Sequence, residues 1–249
     1  MANNYKIEVS YDGTNFYGFQ KQLNHRTIQE ELEKAITRLN SQIPVTIIAS
    51  GRTDRKVHAF KQVCTFQTEK ELNLYYFKHA VNLALPSDIR ITEIIKVSEN
   101  FHPRYQVKEK HYRYLINVGE YNVFECNYIL QLNKELDITK MIAASEIFIG
   151  KMDFRTFTSA TNKQDTIKEI FTINITRKND IIVIDYYGSG FLRYMVRKLS
   201  MILIDVGLNR KNNKDIEKLL QLKDTSAYSK VAGGEGLYLV NVSYNKGDM

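Results

Sequence analysis

Strand-length runs alternating irregularly with helix-length ones set the fold class of this chain. Residues 5–11 alternate apolar and polar side chains and run into Asp12-Gly13-Thr14-Asn15, a turn-forming tetrapeptide, which predicts a strand entering a loop. Further strands are expected at 45–49, 62–67, 89–97, 112–117, 169–177, 181–187 and 236–244. Helices are expected at 28–39, 74–85, 138–148, 191–206 and 215–222, with a loop at 150–154. In the first helix Ile28, Leu32, Ala35, Ile36 and Leu39 recur at helical spacing, and Glu30 and Glu31 sit in the first turn, where carboxylates favour the helix dipole. Pro86 closes the second. These elements keep no unbroken strand-helix-strand rhythm, so the expected class is α+β rather than doubly wound. The pattern restarts after residue 105, which predicts subdomains at 1–105 and 106–249.

Composition narrows the partners. With 249 residues, 43% of them hydrophobic, the chain has material for one large core or two modest ones. Thirty-five Lys and Arg against 28 Asp and Glu leave a net charge of +7, which favours a polyanionic partner without naming it. Cys64 and Cys126 lie far apart in no metal or redox spacing, so each is expected to be a small buried hydrophobe in a reducing compartment. The five histidines form no HxxxH or HExxH pair, and no glycine-rich phosphate loop is present, so neither a metal site nor a nucleotide cofactor has support. No apolar run approaches the ~18 residues of a membrane span, and a cytoplasmic protein is expected.

Three segments carry candidate chemistry. In Ser50-Gly51-Arg52-Thr53-Asp54-Arg55-Lys56 a carboxylate stands among cations. A free Asp titrates at ~3.9, so Asp54 is expected to be ionised at neutral pH, as a nucleophile aimed at RNA requires. The same residues also suit a turn cap or a surface ion pair worth at most ~1 kcal/mol, and spacing alone leaves both readings open. Lys110-His111-Tyr112-Arg113-Tyr114 interleaves cations and aromatics on alternate positions, a pattern for stacking unpaired bases at ~1–3 kcal/mol each or for a half-buried strand with core tyrosines. Between residues 191 and 199, Leu192, Met195, Val196 and Leu199 share an apolar face, leaving Arg193 and Arg197 on another at i and i+4.

Taken together, YDGTNFYGFQ (11–20), GRTD with VHA (51–59), FHPR (101–104), KHYRY (110–114), GFLRYMVRK (190–198) and GLYLV (236–240) resemble the tRNA pseudouridine synthases of the A type, in order and over essentially the whole chain. The resemblance implies two α+β subdomains with mostly antiparallel sheets flanking a basic cleft, a homodimer, tRNA as partner and no metal or organic cofactor. It implies isomerisation of uridine to pseudouridine, with Asp54 as the catalytic carboxylate, Tyr112 packed on the target uracil and Arg197 paired with Asp54. Arg52 would contact the RNA near the target and Leu237 would line the pocket; from their charge, Lys110, Arg55 and Lys56 are expected to meet phosphates. The chain departs from the family in three places: Arg55-Lys56 replaces Ala-Gly, Phe19 replaces a Trp, and Gly233 follows Ala232 where a Pro is usual. The first departure leaves room for a paralogue acting on other sites, such as ribosomal RNA. From another class, a non-catalytic RNA-binding protein or RNA chaperone is the alternative.

Overall fold

The computed structural model describes residues 3–159 and 165–245. Its β1 (Asn3–Tyr11) places Tyr5, Ile7 and Val9 on one face and Lys6 and Glu8 on the other, and all five are buried. The charged face survives burial because Glu8 Oε1 accepts from Lys6 Nζ at 3.4 Å and lies 3.0 Å from Lys61 Nζ, so no charge is left alone. β1 runs antiparallel to β3 (His58–Thr68) and to β4 (Ile89–Val97), with Ile7 opposite Cys64 and Ile94. The remaining strands here are β2 (Ile48–Ala49), paired with β3, and β10 (Leu237–Tyr244), giving the order β4-β1-β3-β10. Two helices, α1 (Ile28–Leu39) and α2 (Leu74–Ala84), pack against each other. α1 buries Ile28, Leu32, Ala35 and Ile36, as the spacing predicts, and each of the large ones contributes roughly 1.5–3 kcal/mol.

These elements form one compact unit, Met1–Lys108 with Leu239–Met249, and Glu109–Tyr238 forms a second. The second contains, side by side, β5 (Val107–Asn117), β9 (Ile181–Gly188), β8 (Ile167–Lys178) and β7 (Gly150–Asp153), each antiparallel to the next. A short β6 (Leu130–Gln131) runs parallel to β5. α3 (Ile138–Ser145) packs on β8 and on α4 (Met195–Gly207), and α5 (Asn213–Leu222) starts with a reciprocal capping box between Asn212 and Asp215. α4 is nearly all buried, including Met195, Leu199, Ile202 and Leu203. Among the described residues no helix is long and apolar enough to cross a membrane.

Mixed helices and mostly antiparallel strands give the expected α+β class. Several local expectations are corrected. Only Ile48–Ala49 of 45–49 is strand, because the Val45 N–H donates to Thr37 Oγ1 (3.3 Å) and the Ile47 N–H to Glu33 Oε1 (3.2 Å), so α1 side chains take donors a ladder would use. Residues 150–154 are not a loop; β7 pairs there with β8, Gly150 opposite Ile170. The helix expected at 138–148 tightens into a 3₁₀ turn from Glu146. The one expected at 191–206 starts only at Met195, since Tyr194 is left-handed at φ +62° and cannot belong to a right-handed helix. Arg193 therefore precedes the helix that carries Arg197. Cys64 is buried, but Cys126 is only half-buried, its thiol donating to the Val123 carbonyl at 3.2 Å.

Candidate active site

Asp54 sits on the excursion between β2 and β3, and the backbone on both sides of it is pinned. Before it, Gln62 accepts from the Ser50 hydroxyl at 2.7 Å and donates to the Gly51 carbonyl at 3.1 Å. The Thr53 and Tyr11 hydroxyls share a buried hydrogen bond of 2.8 Å. After it, the Val57 N–H returns to the Asp54 carbonyl at 3.2 Å, closing a four-residue turn whose third position, Lys56, has φ +64°. A positive φ there marks a type II turn, the geometry that favours glycine. The glycine that the resemblance implies at this position thus has a backbone reason, and Lys56 occupies the same turn at a cost of about 1–2 kcal/mol. His58 ends the excursion, buried, its Nδ1 accepting from the Gly13 N–H at 3.1 Å. The Asp54 side chain is half-buried, and Arg52 and Arg55 are exposed to either side of it.

The loop after β1 is the mould for this turn. The Phe19 N–H donates to the Thr53 carbonyl (3.0 Å) and the Lys56 N–H to the Phe16 carbonyl (3.4 Å). Gly18, at φ +98°, lies so close that a Cβ would come within 2.7 Å of the Thr53 carbonyl oxygen, and one on Gly13 within 2.1 Å of the Val57 oxygen. Both glycines of YDGTNFYGFQ are therefore required by close backbone approach. Gly18→Ala adds a left-handed strain to that clash and is expected to cost about 2 kcal/mol or more, which lowers the thermal midpoint by about 4–8 °C. Differential scanning fluorimetry checks this; an unchanged midpoint would show that the Thr53 backbone gives way freely.

In the second unit, Tyr112 projects from β5, buried, with its ring edge-on to Phe191 at 5.3 Å. Arg197 lies in the first turn of α4, half-buried, and is clipped to the segment before β10: its Nε donates to the Ala232 carbonyl at 2.7 Å, and the Ala232 N–H donates back to the Arg197 carbonyl at 3.3 Å. The Arg193 and Arg197 guanidiniums both approach the Tyr194 ring, at 5.1 and 5.0 Å. Leu237 is buried at the start of β10, and Lys110 is half-buried on β5 opposite Gly188. In the first unit the structure thus gathers Arg52, Asp54, Arg55 and Lys56 on the one excursion between β2 and β3; in the second it holds Tyr112, Arg197, Leu237 and Lys110 on β5, α4 and β10.

The order of these motifs matches a known family. The family model described as tRNA pseudouridine synthase matches residues 7–106 and 144–245. The chain belongs to that family. It is 42% identical over 249 residues to tRNA pseudouridine synthase A 2 of Clostridium tetani (strain Massachusetts / E88), covering 98% of this chain and 100% of that one. It is 40% identical over 242 residues to tRNA pseudouridine synthase A 1 of Bacillus cereus (strain ZK / E33L), covering 96% and 98%. Membership makes the chain an isomerase of the pseudouridine synthase type.

Sequence reasoning missed the groups that support the family's motifs. Lys198, next to Arg197, is buried, and its Nζ donates to the carbonyls of Thr156 (3.2 Å), Thr158 (3.1 Å) and Thr225 (3.4 Å). Burial pulls its pKa below the usual lysine value. About two helical turns further on, the fully buried Asp205 accepts from Lys230 Nζ at 2.9 Å and the Tyr228 hydroxyl at 3.2 Å. These two side chains of α4 tie down the segment that meets Arg197. The available signal was a Lys and an Asp on a largely apolar helix, where a buried ionisable group needs partners. Among the described residues no group of three His, Cys, Asp or Glu side chains is placed to hold a metal ion.

Proposed function

We propose that the chain isomerises uridine to pseudouridine in the anticodon stem and loop of tRNA, with Asp54 as the catalytic carboxylate. The observation that carries this is the Asp54 turn: a half-buried carboxylate between two exposed arginines, locked by hydrogen bonds on both sides, in a member of the tRNA pseudouridine synthase family. The reaction breaks the N1–C1′ bond, turns the uracil and joins C5 to C1′. N1 gains a proton and C5 loses one, so the product is an isomer and needs no redox partner or energy input. The target must first leave its stack. Asp54 either attacks C1′ or removes a ribose proton to give a glycal, and both routes require it ionised.

Tyr112 holds the freed uracil by packing on its face and assists removal of the C5 proton; Arg197 keeps Asp54 charged. Arg52, Arg55, Lys56 and Lys110 contact RNA phosphates, where each neutralised phosphate makes binding more salt-dependent, and Leu237 lines the uracil pocket. We read the protein as a homodimer, as the family resemblance implies, and as cytoplasmic, in line with its cysteine usage. The test is a map of pseudouridine across total RNA from cells with and without this protein: loss confined to the anticodon arm of tRNA is expected. Loss confined to ribosomal RNA would overturn the substrate, and an unchanged map the activity.

A further inference from the structure

Arg55 is one of the positions where this chain departs from its family beside the Asp54 turn, and its guanidinium does not hang in solvent. Its Cζ lies over the Tyr17 ring, 4.4 Å from the centroid. That ring is itself fixed. It stacks on His25 with centroids 3.8 Å apart and planes 9° from parallel. A bridge between Gln22 and His25 closes the intervening turn, Gln22 Nε2 donates to the Tyr17 carbonyl at 2.9 Å, and the Tyr17 N–H donates to the Arg26 carbonyl at 3.0 Å. Tyr17 nonetheless remains 40% exposed, and Arg55 and His25 are exposed as well. An exposed column of this kind stands one residue from Asp54.

We infer that Tyr17, backed by His25, is a positioning residue that presents the Arg55 guanidinium to an RNA phosphate beside the target uridine. The inference rests on the reading of Arg55 as an RNA contact and adds how that contact is made. A guanidinium lying on an aromatic face keeps its N–H donors in its own plane, so stacking holds the fork still while leaving its edge for bidentate contact with a phosphate. Exposed long side chains otherwise lose rotamer entropy when they bind, and a pre-stacked arginine has already lost it. The departure from alanine at position 55 and the aromatic at position 17 then form one device, built on the same loop that moulds the Asp54 turn.

The experiment measures the Kd of an unmodified tRNA transcript across a salt series, together with kcat and KM, for Arg55→Ala, Arg55→Lys, Tyr17→Leu, Tyr17→Phe and the double variant Tyr17→Leu/Arg55→Ala. Arg55→Ala is expected to make the slope of log K against log salt shallower by about 0.9, one phosphate contact. Tyr17→Leu is expected to raise Kd and KM about three-fold, the worth of an exposed cation–π contact, with a smaller change in kcat. Tyr17→Phe keeps the ring and should restore affinity, and the double variant should be no worse than Arg55→Ala alone. Arg55→Lys keeps the charge without the planar fork and should weaken binding alongside Arg55→Ala, which carries the test if Tyr17→Leu does not fold. Additive losses in the double variant, an unaffected Tyr17→Leu, or Arg55→Lys binding as the native protein does would each overturn the inference. The binding series reads out whether or not the transcript is modified, so a failure of the proposed reaction appears separately, as absent product with the Kd pattern intact.

Discussion

Asp54→Ala is expected to abolish pseudouridine formation while RNA binding persists. The substitution removes the carboxylate proposed to react, the one acidic side chain on the turn, and a fall of at least ~10³-fold in rate follows. The substitution should not unfold the turn. The Tyr11–Thr53 hydroxyl pair, the Gln62 side chain and the backbone bonds of Phe19 and Lys56 all remain in place in the variant. Release of the C5 hydrogen from labelled uridine in RNA measures the reaction directly, because C5 must lose its hydrogen when it joins C1′. A filter-binding Kd for the same RNA checks that the surface is intact. Persisting product would remove Asp54 from the chemistry; binding lost along with product would mean that the turn had collapsed instead.

How much of this was legible in the sequence follows from the range over which each signal acts. Elements whose burial depends on their own periodicity were readable: 28–39 and 89–97 match α1 and β4, since one apolar face against one core decides them. Elements decided by distant partners were not. The 45–49 stretch looks like a strand by composition, yet Thr37 and Glu33 on α1 intercept its N–H groups. β7 reads as loop because a four-residue strand at the edge of the sheet needs only β8 to exist. The start of α4 depended on one left-handed residue, Tyr194, which no periodicity reveals.

The candidate site divides in the same way. The residues proposed to touch substrate sit in motifs and are readable as motifs. Gly18, Gln62, Lys198 and Asp205 hold those motifs in place through contacts 11 to 42 positions away in the chain, as with Gln62 to Gly51 or Lys198 to Thr156, and only the fold brings such partners together. The Arg55-Lys56 departure shows both sides at once. The sequence marks it as unusual, while the positive φ of Lys56 and the Tyr17 ring under Arg55 say what each substitution must accommodate.

Arg197→Met is expected to lower turnover by about tenfold on the acid side of the rate profile and to move that limb upward. The sign follows from the proposed pairing. Asp54 works ionised, a neighbouring guanidinium holds a carboxyl below its usual range, and removing that charge leaves burial to push it up. More of the protein then carries a neutral Asp54 at a given pH, so activity lost at pH 6 should be partly recovered by raising the pH. Arg197 also has a structural duty, since its Nε donates to the Ala232 carbonyl at 2.7 Å in a segment that Lys198 and Asp205 tie to α4. Damage through that contact alone would depress the rate by the same factor at every pH. Single-turnover rates across the pH range at saturating RNA separate the two. A shifted limb supports the pairing of Arg197 with Asp54, and a uniform loss would reassign Arg197 to holding the segment that leads into β10.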